Sequence, residues 1–367
     1  MEGFEQVMAL QSTTFPPEES YSINQILELC TLETVLYKSF WNRNRFCGLL
    51  FFNVGRTRIY LFYLAVCEDQ RSKGLGTSLL CWLKERYPDK SIVANISKSV
   101  FFESILEEIQ IMMRGYNENV NVHFIGETDN EVATAARIVS YMKPKGIIFL
   151  GGYLDTFRKE FSQINLPCVL VTIGAENLGF DNLSSFTTDY YDAGRFIVNK
   201  LLSYGHTRIG ILGGYSTDSS SEHKNGKITG AVEALDEKGI AFDFDREYEP
   251  CSYSAESGYE AALRLLRRSP NLTAVLAVSD SIALGAIRAL KDIGLCVPED
   301  ISVIGFDGLT YSRYSIPRLA TIRQDTATLV KKCVDDLLMR ITYGGPAVHE
   351  LIPYEFIEGE SVAAVRQ

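Results

Sequence analysis

A carboxylate follows an apolar run that predicts a buried strand. Asp280 comes after Ala274–Val278, from which Ser279 separates it. A carboxylate at the end of such a strand can accept two or more hydrogen bonds from a diol, and it penalises a ligand that leaves it unpaired. Asp280 also stands with Ser279 and Ser281 before an amphipathic stretch, where these residue types cap helices. Two roles are therefore open for Asp280, ligand contact and helix cap.

A second chemical pattern is rich in glycine. Arg71-x-x-Gly74-x-Gly76 lies between the apolar run Arg58–Val66 and the amphipathic stretch Gly76–Arg86. Glycines let a backbone approach a ligand closely, and amides at the start of a helix can bind a pyrophosphate. The pattern is short, so it also fits an ordinary turn in an unrelated α/β segment.

The composition limits the classes of function. The formal net charge is -10, whereas nonspecific binding to nucleic acid depends on clustered Lys and Arg. The eight cysteines stand singly and the four histidines are far apart, so we expect neither a metal centre nor a disulfide framework. Because no stretch has the character of a signal peptide or a membrane span, we expect a cytoplasmic chain with no membrane partner.

The pattern of predicted helices and strands around these candidate residues changes near residue 90. Before that point we predict two helices and a meander that contains Gly48–Val54 and Arg58–Val66. Beyond it, short apolar runs alternate with amphipathic stretches, which is the pattern of βαβ units and a parallel sheet. The predicted core strands are Ser91–Ile96, Gly146–Leu150, Cys168–Thr172, Arg208–Gly213, Ala274–Val278 and Ile301–Phe306. The predicted helices are Phe101–Met113, Ala193–Tyr204, Ile228–Lys238, Ser257–Arg267, Ile282–Ile293 and Thr326–Thr342.

Six ordered motifs in residues 91–362 carry a family resemblance. They are Tyr190-Tyr-Asp-Ala-Gly-Arg, Gly205-His206 before Arg208-Ile-Gly-Ile-Leu-Gly-Gly, Ala277-Val-Ser-Asp-Ser-Ile-Ala-Leu-Gly-Ala, Val297-Pro-Glu-Asp-Ile-Ser-Val-Ile-Gly-Phe-Asp, Leu319-Ala-Thr-Ile-Arg-Gln-Asp and Leu351-Ile-Pro-Tyr-Glu-Phe-Ile-Glu-Gly-Glu-Ser. Together they resemble the effector domain of LacI/GalR-type regulators. The resemblance implies a periplasmic-binding-protein-like α/β fold of two doubly wound lobes with parallel sheets. The ligand would lie in the cleft, beyond the carboxyl ends of the strands.

The same resemblance implies how residues 91–367 divide. Lobe 1 would take about 91–188 plus 324–348, and lobe 2 about 190–322 plus 350–367. Three strands would cross between the lobes, near Thr188–Tyr190, Ile322–Gln324 and Ala347–Ile352.

The resemblance also marks nine candidate effector-binding residues. Asp280 would bind hydroxyl or ring-nitrogen groups, and the aromatic residues would stack on an apolar face of the ligand. Lys227 stands where the family usually has an arginine. The positive charge therefore remains, but the planar guanidinium, which can bind two acceptors at once, is lost. The nine are Phe101, Phe102, Ser221, His223, Lys227, Tyr253, Asp280, Asp307 and Gln324. The alternatives are core packing for each aromatic residue, a solvated Lys227, and a hinge role for Asp307 and Gln324.

Residues 1–90 resemble the front part of a GNAT-type N-acetyltransferase. The resemblance rests on Tyr63-Leu-Ala-Val-Cys-Glu-Asp-Gln-Arg-Ser-Lys-Gly-Leu-Gly-Thr-Ser-Leu-Leu, and it makes an acyl-CoA loop of Val66, Arg71, Gly74 and Gly76. The complete fold needs further strands after Arg86, yet we expect Ser91–Ile96 to be the first strand of the effector domain. We therefore interpret the segment as a small, partial GNAT-like α+β module, for which acetyl-CoA would be the cofactor.

These patterns favour one function over two others. We expect a sensor of a sugar or sugar-like effector, derived from a transcriptional regulator and forming a homodimer. Ile23–Phe40 offers Lys38 as its one basic side chain, so we expect DNA binding only through a missing or separate module. The alternative is an acyl-CoA-dependent N-acetyltransferase with a regulatory ligand domain. A transport-type binding protein is disfavoured because a signal peptide is not recognisable.

Overall fold

The structure, a computed structural model, describes residues 35–42, 45–54, 58–67, 91–94, 100–123, 130–214 and 226–365, with a few single positions besides. The chain forms two compact units. The first consists of Met1–Ile96 with Asn121–Phe124, and the second of Ser97–Val120 with Ile125–Gln367. The division after Ile96 lies beyond the boundary that the sequence predicts near residue 90.

The first unit contains a four-stranded sheet in the order β1-β2-β3-β4. Strands β2 and β3 are the two predicted strands of the meander, whereas the antiparallel strand β1 was not predicted and overlaps Ile23–Phe40, for which the sequence predicts some helix. Strand β4 runs parallel to β3. Apolar side chains of β2 are buried, and so are Leu79 and Leu83. The strands are β1 (Val35–Asn42), β2 (Arg45–Val54), β3 (Arg58–Val66) and β4 (Ser91–Ala94).

Strand β4 corrects one expectation from the sequence. Its register runs from Arg58 opposite Ser91 to Leu61 opposite Ala94, so Ser91–Ala94 does not open the sheet of the large domain. An apolar run predicts that a strand is buried but does not identify its partner. Consecutive strands joined by a helical crossover usually become parallel neighbours, and the chain is helical at Leu79 and Leu83 between β3 and β4.

Lobe 1 of the second unit has a four-stranded sheet in the order β13-β7-β6-β5, and all its neighbouring strands are parallel. Its strands are β5 (Ile147–Leu150), β6 (Cys168–Val171), β7 (Leu183–Thr188) and β13 (His349–Ile352). Its helices are α1 (Val100–Gly115), α2 (Glu131–Met142), α3 (Leu154–Glu160) and α9 (Thr326–Tyr343), with short 3₁₀ turns at Phe161–Gln163 and Glu176–Leu178.

Lobe 2 has a six-stranded sheet in the order β14-β12-β11-β10-β8-β9, in which β14 alone is antiparallel to its neighbour. Its strands are β8 (Ile209–Leu212), β9 (Tyr248–Glu249), β10 (Ala274–Ala277), β11 (Ser302–Asp307), β12 (Ala320–Gln324) and β14 (Tyr354–Ile357). Its helices are α4 (Tyr190–Ser203), α5 (Gly226–Asp236), α6 (Phe244–Glu247), α7 (Ala255–Arg268) and α8 (Asp280–Asp292), with a 3₁₀ turn at Thr310–Arg313.

The chain passes between the two sheets at Asp189, Asp325 and Pro353. The first point lies inside the predicted Thr188–Tyr190, and the other two follow the predicted segments directly. Asp189 and Asp325 are also helix N-caps, because their carboxylates accept from the amides of Asp192 at 2.9 Å and Thr328 at 3.0 Å. A cap at this position turns the chain sharply from a strand of one lobe into a helix of the other.

Each lobe buries its own apolar core. In lobe 2, helices α4, α5, α7 and α8 pack on the sheet around residues such as Ile211, Leu276 and Ile304. In lobe 1, helices α1 and α9 cover one face of the sheet and α2 and α3 cover the other. We name the first of these the lobe-1 cluster, and its buried members are Phe101, Ile105, Ile109, Met113, Val169, Val171, Phe186, Leu309, Leu329, Val330, Cys333, Val334, Leu337 and Ile352.

Two helix pairs of lobe 2 touch through their main chains. A Cβ atom built on Gly194 of α4 would lie 2.1 Å from the carbonyl oxygen of Lys227 in α5. A Cβ atom on Gly285 of α8 would lie 2.0 Å from the carbonyl oxygen of Ala255 in α7. These positions accept only glycine, so the glycines determine how closely the paired helices can approach each other. None of the helices that the structure describes is long and apolar enough to cross a membrane.

Candidate effector-binding cleft

The carboxyl ends of the strands in both lobes meet at the crossings. Strands β7 and β12 end at Thr188 and Gln324, directly before the chain passes to the other lobe. Because neighbouring strands in each sheet are parallel, the residues after β5, β6, β10 and β11 lie on the same side. Open α/β sheets bind ligands at this edge, so the space between the lobes is the candidate site.

A buried ion pair lies in lobe 2 at this edge. The Nζ of Lys227 lies 3.8 Å from Oδ1 of Asp307 and donates to the carbonyl oxygen of Val278 at 2.9 Å. The ammonium also lies 3.7 Å from the ring centroid of Phe306 and 4.8 Å from that of Tyr190. Cations are attracted to such aromatic faces. Lys227 is therefore held in place by four groups, so the alternative of a solvated lysine is wrong.

Burial shifts the titration of both partners in this pair. Desolvation lowers the pKa of Lys227, and the negative charges of Asp307 and Asp280 oppose that shift. Desolvation raises the pKa of Asp307, which the Lys227 cation opposes. Both directions reflect the cost of holding a charge away from water. In each partner, burial thus favours the uncharged form, whereas the attraction between the two opposite charges favours the ionised form.

Gln324 connects the ion pair to the hinge. Its Nε2 donates to Oδ1 of Asp307 at 2.8 Å, and its Oε1 accepts from the hydroxyls of Thr188 at 2.8 Å and Tyr190 at 3.1 Å. Thr188 and Gln324 belong to different crossings, so one amide joins two of the three connections between the lobes. A ligand that changes the position of Asp307 would therefore act on the hinge directly.

The surroundings of Asp280 do not match the predicted contact with a ligand. Its carboxylate accepts from the Thr321 hydroxyl at 2.6 Å, the Leu309 amide at 2.7 Å and the Ser312 hydroxyl at 2.8 Å. The residue is 0% exposed, and burial raises the pKa of its carboxyl to about 6. With three partners from the chain and no accessible surface, Asp280 cannot offer an oxygen to an effector in this arrangement. The helix cap is not Asp280 either, because the Ser279 hydroxyl accepts from the Ile282 amide.

The predicted aromatic residues differ in burial. Phe101 is buried in the lobe-1 cluster, so the alternative of core packing applies to it. Phe102 is partly buried and lies against Gly151, the residue that follows β5 at the cleft edge. Tyr253, which follows β9, is 39% exposed. Phe102 also packs against the lobe-1 cluster, so core packing accounts for part of its contacts, whereas Tyr253 lies in the other lobe.

Two strand ends at the cleft have strained backbones that the sequence did not predict. Thr172 after β6 has a φ of 73°, and Asp307 at the end of β11 has a φ of 111°. Positive φ is rare for residues other than glycine, and such strain concentrates at binding sites. No sequence signal marks Thr172, whereas Thr188 and Tyr190 follow from the predicted crossing.

Several predicted residues lie outside the described part of the chain. They are Ser221 and His223 in the segment before α5, and Arg71, Gly74 and Gly76 of the predicted acyl-CoA loop. Val66, the remaining member of that loop, is the last residue of β3.

Comparison with known proteins agrees with this architecture. Residues 198–362 match the periplasmic binding protein-like domain family. The HTH-type transcriptional repressor PurR of Actinobacillus pleuropneumoniae is 33% identical over 254 residues, which are 68% of this chain and 73% of that protein. The HTH-type transcriptional regulator MalR of Clostridium butyricum is 29% identical over 280 residues, 72% of this chain and 79% of that protein.

A solved structure shows the same fold. It is a LacI family transcriptional regulator from Enterococcus faecium with bound ribose, and it superposes with a TM-score of 0.61 at 24% identity. The match covers 74% of this chain and 98% of that one.

Proposed function

Because the chain belongs to the LacI family of transcriptional regulators, whose ligand-binding domain it carries, we propose that its cleft binds a sugar or sugar-like effector. The observation that supports this most directly is the polar group formed by Lys227, Asp307 and Gln324. Carboxylate, ammonium and amide groups together can accept from and donate to the hydroxyls of one small molecule. The ribose in the related Enterococcus faecium structure supports the same class of ligand.

The aromatic residues complete such a site. Tyr253 of lobe 2 and Phe102 of lobe 1 can cover the C–H faces of a sugar ring, at a low cost in rotamer entropy. Lys227 is neutralised within the site by Asp307, so it offers little free charge to a phosphate or carboxylate group. We therefore propose a neutral effector, and we expect phosphorylated sugars to bind more weakly than their neutral counterparts.

Calorimetry against a panel of neutral sugars, sugar phosphates and nucleosides tests this proposal. Replacing Asp307 by Asn keeps the size of the side chain but removes its charge. Losing a charged partner in a desolvated cleft typically costs about 2–5 kcal/mol, so the best ligand should bind about 30-fold or more weakly. Asp181→Asn on the surface of lobe 1 is the control and should leave the affinity unchanged. Equal affinity of wild type and Asp307→Asn would reject the site.

We further propose that the chain forms a homodimer and reports cleft occupancy to a DNA-binding module on a separate chain or segment. A ligand shifts such an equilibrium only through its different affinity for the two states. Sedimentation of the full chain with and without the best sugar measures both assembly and shape. A strictly monomeric particle at high micromolar concentration would reject the homodimer.

A second candidate function concerns the first unit, and the parallel pairing of β3 with β4 supports it. This pairing makes the end of β3 at Val66 the carboxyl end of a strand with a parallel neighbour, an edge where ligands commonly bind, and Arg71, Gly74 and Gly76 follow Val66 in the sequence. We propose that this segment holds acyl-CoA, with acetyl transfer as the alternative activity of the chain. Calorimetry with coenzyme A tests this, and Gly74→Glu should abolish binding. Gly239→Glu, at the end of a helix in the second unit, is the control.

A further inference from the structure

One loop of lobe 2 contributes a side chain to the core of lobe 1. Residues 308–313 follow β11, which is a strand of the lobe-2 sheet. Leu309 in this loop is 8% exposed and belongs to the lobe-1 cluster, whose other members lie in α1, β6, β7, α9 and β13. Tyr311 packs against the same cluster. The loop therefore adds an apolar contact between the lobes that is independent of the three crossings.

The same loop is anchored to lobe 2 by polar groups at the start of α8. Asp280 accepts from the Leu309 amide and the Ser312 hydroxyl, and the hydroxyls of Ser281 and Tyr311 are 2.7 Å apart. Asp280 also holds β12 through Thr321. Leu309 is thus fixed by its backbone to one lobe and by its side chain to the other.

We propose that residues 308–313 form a latch that holds the lobes together, and that Asp280 is a positioning residue that acts through this latch. The contact is small compared with either core, so it can break and re-form without unfolding a lobe. Truncating a buried leucine to alanine removes enough packing free energy to shift a two-state equilibrium by more than about tenfold. The latch therefore sets the fraction of molecules with a closed cleft.

The distance between the lobes in the absence of ligand tests the latch. For this measurement, an unnatural amino acid with a ketone side chain replaces residue 159 in α3 and residue 256 in α7 of the full chain, and a spin label is attached to each ketone. Pulsed electron paramagnetic resonance then reports the distance between the two labels. Both positions are exposed, and ketone chemistry avoids the exposed Cys296. Leu309→Ala should shift the distances to longer values. Leu266→Ala is the matched control, because Leu266 is 7% exposed in the core of lobe 2 alone.

The control variant should lower the melting temperature and leave the distances unchanged. If Leu309→Ala also lowers only the melting temperature, Leu309 is an ordinary core residue and the latch is rejected. Asp280→Asn, which removes the charged acceptor of the Leu309 amide, should shift the distances in the same direction as Leu309→Ala. Unchanged distances in Asp280→Asn, beside a shift in Leu309→Ala, would reject the role of Asp280.

The effect on affinity rests on the proposed function. The sugar that wild type binds best should bind Leu309→Ala at least about tenfold more weakly, because a smaller fraction of molecules has a closed cleft. Equal affinity despite longer distances would reject the connection between latch and effector. If no sugar binds wild type, the proposed function fails, whereas the distances without ligand still decide whether the latch exists.

Discussion

The Nζ of Lys227 and the Oδ1 of Asp307 lie 3.8 Å apart at the carboxyl edge of the lobe-2 sheet, and both side chains are more than nine-tenths buried. The two residues come from different elements, α5 and β11, and 79 residues of the chain separate them. Two opposite charges buried this close together depend on each other, since removing either one leaves an uncompensated charge away from water.

The first prediction concerns this dependence. Lys227→Met and Asp307→Asn should each destabilise the second unit, but the double variant should lose less stability than the two losses added together. We expect a coupling energy of about 1–3 kcal/mol from a double-mutant cycle measured by urea unfolding. Losses that add within about 0.5 kcal/mol would show that the two charges do not interact.

The second prediction concerns pH. Burial raises the pKa of Asp280 to about 6, above the value of about 3.9 for an unfolded aspartate. Between these values the folded chain binds more protons than the unfolded chain, so the contribution of Asp280 to stability falls as the pH rises. The free energy of unfolding of wild type, relative to Asp280→Asn, should decrease by about 1–3 kcal/mol from pH 4 to pH 7. Urea titrations of both proteins measure this difference, and a constant difference would contradict the assignment.

The third prediction concerns a buried cation in lobe 1. Arg340 of α9 donates to the carbonyl oxygens of Cys168 at 3.2 Å and Asn182 at 2.8 Å and to the hydroxyl of Ser184. It thereby joins the helix to β6 and β7. Arg340→Met should cost about 3–5 kcal/mol, because it leaves buried acceptors unpaired, and Arg340→Lys should recover only part of this loss. Arg158→Met, at an exposed ion pair, is the control and should cost less than about 1 kcal/mol.

The fourth prediction concerns the contact between α7 and α8. Gly285→Ala would put a methyl group 2.0 Å from the Ala255 carbonyl oxygen, so the helices must separate. We expect a loss of more than about 3 kcal/mol in thermal or urea unfolding. Gly239→Ala is the control, because Gly239 lies in the turn after α5 at a positive φ and a Cβ atom built there would meet no neighbouring atom within 4 Å, so its cost should stay near about 1 kcal/mol. Similar losses in the two variants would contradict the close packing.

Elements were predictable from the sequence where the pattern is local. The strands β5, β6, β8, β10 and β11 and the six predicted helices α1, α4, α5, α7, α8 and α9 lie within a few residues of their predicted ends, whereas α2 was not predicted. The partner of Ser91–Ala94 was not predictable, because an apolar run fits any sheet with an open edge. Helical periodicity could have separated Phe101 from Phe102, since Phe101, Ile105 and Ile109 recur every four residues on the buried face of α1.

Asp280 and Asp307 show a second limit of prediction from sequence, because their different surroundings could not be predicted. Asp280 and Asp307 both follow an apolar run, so sequence alone treats them as equivalent. In the structure Asp280 begins a helix and is enclosed by Leu309, Ser312 and Thr321, whereas Asp307 adopts a positive φ and meets Lys227. The different surroundings of the two carboxylates thus depend on loop 308–313, which contacts both lobes.

The contact between Gly194 and the main chain of Lys227 couples helices α4 and α5, so that they move together. Helix α4 begins directly after the first crossing, and α5 carries the cation of the cleft. With no side chain between them at this point, there is no flexible layer that could absorb a displacement. An effector that displaces the main chain of α5 at Lys227 should therefore move the first turn of α4 as well. In amide exchange, Ala193 and Ile228 should then become protected together when the effector binds, as parts of one mechanical body.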